Sequence, residues 1–207
     1  MLVNGFDVSK TKTSVLSRHI GFLFQNPDHQ IFCRTVFDEI AFGLKNVAKS
    51  EDEIKRLVTA AALKVGIEKY LEANPFSLSR GQRQRVALAS VLAMETEILV
   101  LDEPTTGQDY KEAIEIMDII KDLNTQGKTV IMVTHDMELV AAYARRVIIL
   151  QNGTIVENGT PSEVFSKAES MALSNLQPPQ IYTLAKKFHK QGIFRNVYTL
   201  DEMMEEI

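Results

Sequence analysis

Cysteine is nearly absent. The one thiol in 207 residues, Cys33, excludes an intramolecular disulfide and any multi-cysteine zinc site. A basic excess is also missing: 23 Lys+Arg stand against 27 Asp+Glu, a formal net charge of −4. A dedicated nucleic-acid binder usually carries the opposite balance, so no nucleic acid is expected as a partner. The opening MLVNGFDVSK lacks the basic region and apolar run of a signal peptide. The apolar runs at 98–101 and 130–133 fall far below the ~20 residues that span a bilayer. No internal repeat or low-complexity segment stands out. These absences lead us to expect a soluble, cytoplasmic protein of a reducing compartment. The length suits one substantial domain, with or without a small appendage. At this size folding buries roughly 70% of the unfolded surface, so a core needs neither disulfide nor metal.

What is present alternates short apolar runs with longer amphipathic stretches. Residues 20–24 read as a strand, followed by a polar loop at 25–30. From 35 to 65 the spacing of Val36, Ile40, Phe42, Leu44, Ile54, Leu57, Val58 and Ala61 is helical. Asn74-Pro75 breaks that region, and Gly81 opens a helix reaching about Met94. A run at 98–101, a helix over 111–126, a run at 130–133 and a helix from Met137 follow. The segments 147–150 and 154–156 flank Asn152-Gly153, the turn signal of a hairpin. Nearly all-apolar strands alternating with helices predict an α/β fold with a parallel sheet covered on both faces. The expected organisation is core at 1–27, a helical subdomain at 28–80, core again at 81–165, and an extension at 166–207. Within that extension Gln177-Pro178-Pro179-Gln180 is a break, and 181–191 and 201–207 read as short helices. Pattern leaves open whether it caps the core or binds a partner.

The strongest chemical signal is Ile98-Leu99-Val100-Leu101-Asp102-Glu103-Pro104-Thr105. Four apolar residues running into two carboxylates put both acids at the carboxyl end of a buried strand, the edge where open α/β sheets bind ligands. Adjacent strand side chains point to opposite faces, so Asp102 and Glu103 are expected to divide the work. One would hold a hard cation, the other orient water or act as a general base. Alone, the segment reads equally well as a strand ending in solvated acids. It is preceded by Leu78-Ser79-Arg80-Gly81-Gln82 at a helix start, where exposed N–H groups and the Ser79 hydroxyl suit an anion. The plain alternative is an N-cap that binds nothing. His135 follows the 130–133 run and Gln25 follows the 20–24 run, both at carboxyl ends; a lone histidine is more often structural.

Together these segments resemble the ATP-binding subunits of ABC transporters over about residues 1–165. By that resemblance Gln25 matches the Q-loop, Leu78, Ser79, Arg80, Gly81 and Gln82 the signature, and 98–102 Walker B. Glu103 matches the catalytic glutamate, Thr106-Gly107-Gln108-Asp109 the D-loop, and His135 the switch histidine. The segments 25–32 and 102–109 look most like energy-coupling-factor ATPases, which drive uptake of vitamins or metal ions such as cobalt and nickel. The resemblance implies a P-loop NTPase (RecA-like) core with a helical subdomain, ATP and Mg²⁺ as ligands, a second ATPase subunit, and transmembrane transporter subunits. It implies a cytoplasmic location, peripheral on the inner face of the membrane. Asp102 and Gln25 would serve Mg²⁺, Glu103 and His135 catalysis, and the signature with Asp109 the nucleotide.

Two departures stand out. Arg80 occupies the place of the signature's first glycine, where its side chain can point outward. No Gly-x-x-x-x-Gly-Lys-Ser/Thr occurs: Gly127-Lys128-Thr129 has Asp122 where the first glycine belongs, and it lies between a helix and a strand. It reads as a helix-ending glycine and a strand start. In the family the Walker A loop precedes a stretch like Val3-Asn4-Gly5. The expectation is therefore an N-terminally truncated ATPase with Met1 at an internal position, inactive alone and holding nucleotide weakly. A chromosome-associated ATPase is excluded, because 28–77 is too short for that class's coiled coil. The alternative is a non-catalytic fragment that only contacts a partner ATPase or membrane subunit.

Overall fold

A computed structural model of the chain describes residues 1–167, 171–172, 174–189 and 197–205. They fall into two compact units, 1–133 and 134–207. Among the described residues no helix is long and apolar enough to cross a membrane.

The first unit opens with β1 (Leu2–Val3) and β2 (Phe6–Asp7), an antiparallel pair. Asn4 and Gly5 turn between them with φ of 46° and 82°. After the short α1 (Thr13–Leu16) come β3 (Ile20–Leu23) and a 3₁₀ turn at Pro27–His29. The span read as one helical region is two helices, α2 (Val36–Asn46) and α3 (Glu51–Lys64). Ala48 adopts φ 56° between them, and the Ser50 hydroxyl caps the restart by accepting from the Glu53 N–H at 3.3 Å. Both pack on α4 (Arg80–Ala93), which also contacts β3. α4 is the central helix: from Gln84 through Ala89 every residue is buried.

β4 (Ile98–Asp102) and β5 (Thr129–Val133) complete a parallel sheet of order β3-β4-β5, joined across the last pair by α5 (Tyr110–Thr125). In register, Leu23 faces Leu101, and Asp102 faces Val133. Among the described residues the expected cover on both faces is not found. Leu23, Leu99 and Leu101 are buried, but the alternating residues Phe22, Ile131 and Val133 are 45%, 52% and 55% exposed. Apolar strands record what is suited to burial, not what lies against it. At the end of α5, Lys128 N–H reaches the Leu123 carbonyl and Gly127 N–H the Asn124 carbonyl, with Gly127 at φ 93°. That pair of bonds is a Schellman C-cap, the role read for Gly127 from the sequence.

The second unit holds α6 (Met137–Tyr143) and a hairpin, β6 (Val147–Gln151) with β7 (Thr154–Gly159), turning at Asn152-Gly153. After it come α7 (Pro161–Ser166), α8 (Gln180–His189) and α9 (Leu200–Glu205). The read helices continued to residue 191 and to 206–207, positions outside the described residues. Val140, Ile149, Val164, Phe165, Met171 and Tyr182 form one buried cluster, so α8 contributes to packing. Tyr182 stacks on Tyr198 with ring centroids 5.2 Å apart.

Candidate functional site at the carboxyl edge of the parallel sheet

Three strands end together, and the middle one, β4, runs into the two acids. Asp102 closes β4 and is partly exposed. Glu103 lies beyond the strand with φ 48°, a conformation that costs a residue with a side chain. The expected division between the two acids by strand pleat is therefore replaced: a left-handed turn separates them. The Glu103 N–H donates to the Val133 carbonyl at 2.9 Å. Its own carbonyl accepts from Thr106 N–H at 3.1 Å and from Gln84 Nε2 at 3.3 Å. The residue is only 8% exposed.

Gln25 is exposed, two residues past the end of β3. The loop after it is tied to α4. Gln30 Oε1 accepts from Phe24 N–H at 3.2 Å, while its Nε2 donates to the Ala87 carbonyl at 3.2 Å and the Ser90 hydroxyl at 3.1 Å. Arg83 pairs with Asp28 at 2.7 Å and donates to the Leu78 carbonyl at 2.6 Å.

The start of α4 is a full capping box. Ser79 Oγ accepts from Gln82 N–H at 3.2 Å, and Gln82 Oε1 accepts from Ser79 N–H at 2.9 Å. Gln82 Nε2 then donates to the Tyr70 hydroxyl at 2.9 Å. The plain capping reading is thus present, and it still leaves the Ser79 O–H proton to be given to an anion. Leu78 is buried and Arg80 is exposed, as its outward placement required. Gly81 meets Gly107 so closely that a Cβ at Gly81 would sit 2.5 Å from the Gly107 carbonyl oxygen. Gln108 locks the contact: Nε2 donates to the Gly81 carbonyl at 2.8 Å, and Oε1 accepts from Arg85 Nε at 2.9 Å. Arg85 continues to the Val65 carbonyl at 2.9 Å and to Glu115 at 3.3 Å. Asp109 is exposed and caps α5 reciprocally with Glu112, at 2.8 and 3.1 Å.

The structure therefore brings Gln25, Asp102 and Glu103 to one sheet edge and joins the signature to the 106–109 loop. His135 is exposed, two residues past β5 in the chain and within the second unit. The sequence reading did not single out Tyr70, Arg83, Gln84, Arg85 or the bridging role of Gln108. Polar side chains at positions 82–85, within a helix otherwise rich in apolar residues, were the available signal. A cleft of about 720 Å³ lined by Arg18, Phe22, Phe42, Val47 and Met94 lies at the amino end of β3, away from these groups.

The electrostatics beside the edge are local. Burial pushes the Cys33 thiol up to about 11, with the Glu39 carboxylate adding to the effect. Glu39 itself is buried and accepts the N–H groups of Phe32 and Cys33 at 2.9 and 2.8 Å. Lys45 and Thr35 hold the Asp38 carboxyl below its ordinary range.

Among the described residues no group of three His, Cys, Asp or Glu could hold a metal by itself. One carboxylate at Asp102 and one amide oxygen at Gln25 fit Mg²⁺, which takes most of its ligands from water and substrate phosphates.

Residues 1–106 match the ABC transporter family. The chain is 43% identical over 211 residues to the energy-coupling factor transporter ATP-binding protein EcfA2 of Caldanaerobacter subterraneus, covering 99% of this chain and 74% of that protein. A Methanosarcina mazei protein named as an ABC transporter ATP-binding protein is 49% identical over 192 residues; the match covers 93% of this chain and 32% of that protein. The chain thus spans about a third of such relatives. The solved structure of cbiO1 from Clostridium perfringens, part of the ABC transporter complex cbiONQ, superposes with a TM-score of 0.71 at 36% identity. That match covers 89% of this chain and 75% of the other. An edge carrying Gln25, Asp102 and Glu103, and a capped helix joined to its neighbouring loop, place the chain where these likenesses do: it belongs to the ABC transporter family, alongside the energy-coupling-factor ATP-binding proteins.

Proposed function

We propose that these residues form the ATP-hydrolysing core of an energy-coupling-factor importer that takes up a metal ion or a vitamin. One observation carries the reading: Asp102, the buried Glu103 and Gln25 gather at a single carboxyl strand edge. Glu103 orients the water that attacks the γ-phosphate in line and takes its proton. Asp102 and Gln25 would hold Mg²⁺, which would neutralise charge on the phosphates. His135 contacts the γ-phosphate. The Ser79–Gln82 helix start, with Asp109 beside it in the loop, completes the site of a second ATPase subunit. Residues 28–80 form the helical subdomain that docks on a transmembrane subunit, between core segments 1–27 and 81–165, and 166–207 is an extension. The assembly sits on the inner face of the membrane. The cbiO1 likeness, with its named complex, supports the partner assignment.

The test is ATP hydrolysis and Mg²⁺ titration in the full-length protein. Glu103→Gln should keep nucleotide binding and remove turnover, whereas Asp102→Asn should weaken the Mg²⁺ dependence of binding. Wild-type hydrolysis by both variants refutes the assignment. A second reading, a non-catalytic partner-binding chain, is favoured by the lack of a Gly-x-x-x-x-Gly-Lys-Ser/Thr in these 207 residues. It predicts no nucleotide-dependent turnover with any of the three versions.

A further inference from the structure

Gln84 is fully buried on the second turn of α4, and it has no place in the reading above. Its Nε2 donates to the Glu103 carbonyl at 3.3 Å, while its Oε1 has no hydrogen-bond partner among the described residues. A buried amide with an unmet acceptor is a poor choice for stability, because methionine fills nearly the same volume without it. What the amide uniquely supplies is a donor to Glu103. That carbonyl takes two donors, Thr106 N–H and Gln84 Nε2, which together use both of its lone pairs. With the N–H fixed on Val133, the peptide groups on both sides of Glu103 are held. Such over-determination is what a non-glycine residue at φ 48° needs to persist.

We propose that Gln84 is a positioning residue for Glu103: its side-chain amide holds the left-handed turn, and so the direction in which the carboxylate is presented. The proposal rests on the reading of Glu103 as the water-orienting group. Without the Gln84 donor the turn relaxes toward the ordinary extended region. The Cα–Cβ bond of Glu103 swings with it, and the carboxylate leaves its place at the sheet edge. A misplacement near 1 Å costs about 100-fold in rate.

The test uses Gln84→Met in the full-length protein, with Gln84→Leu as a second variant. Turnover should fall about 10- to 100-fold while KM and nucleotide affinity stay within about twofold. The melting temperature should hold or rise. In a Glu103→Gln background the Gln84 substitution should cost nothing further, because the two residues act as one unit. Unchanged turnover in Gln84→Met, a further loss on top of Glu103→Gln, or unfolding of both Gln84 variants each overturns the proposal. If Glu103→Gln itself turns over normally, the functional reading falls and takes the proposal with it. If Glu103→Gln is inactive and Gln84→Met is normal, only the positioning role falls.

Discussion

The two units bury different things. In residues 1–133 the interior includes Glu39, Gln84, Arg85, Thr96 and Glu103; in 134–207 the described buried side chains are apolar or aromatic, with Phe165 fully enclosed. Buried polar groups cost free energy unless paired, so they accumulate where geometry matters more than adhesion. Three of these five side chains bond across loops: Glu39 to 32–33, Gln84 to 103, and Arg85 to 65 and 108. The first unit fixes loops through buried polar side chains, whereas the described interior of the second is apolar and aromatic.

Substitutions should separate the two. The largest effect on function is expected from Ser79→Arg, which places a bulky group where phosphate would approach. ATP-dependent association with a second ATPase subunit, measured by sedimentation, should weaken by about 100-fold or more, since contacts to a charged group contribute roughly 1.5–3 kcal/mol each. Association that ignores both ATP and Ser79 would show that the contact runs elsewhere. Next, Phe165→Ala should destabilise the second unit by about 3–5 kcal/mol in chemical denaturation, leaving nucleotide affinity unchanged. A smaller effect, about 1–3 kcal/mol, is expected for Gly81→Ala, whose added methyl meets the Gly107 carbonyl. That variant should lose turnover as well, because the crowding lies within the polar lock. Cys33 gives the smallest effect. Its thiol is raised from 9.0 to about 11, so folding favours the neutral form. The stability it contributes is present below 9.0 and is lost as pH rises toward 11. Cys33→Ser should flatten that alkaline slope, and alkylation of Cys33 at pH 8 should run about 100-fold slower than for an unperturbed thiol.

Much of this was legible in the residues. The strand read at 98–101 and the Asn152-Gly153 hairpin follow from an unbroken apolar run and from turn chemistry. The β1–β2 hairpin carries the same Asn-Gly signal, but its strands have two residues each, too few for alternation to register. The break at Ala48 was invisible because neither Gly nor Pro marks it. The places of Gln25, Asp102 and Glu103 at carboxyl strand ends, and of Ser79 at a helix start, were legible because short segments carry them. Gln84 and Arg85 were not, since their partners lie 19, 20 and 23 residues away and only folding brings them together.

The central claim is that the buried carboxylate of Glu103 is retained for chemistry rather than for stability. The direct measurement takes phosphate release and melting temperature together on Glu103→Gln in the full-length protein. Glutamine has nearly the same shape as glutamate, so the melting temperature should stay nearly unchanged while phosphate release falls by about 100-fold or more. A lower melting temperature with phosphate release intact would contradict the account.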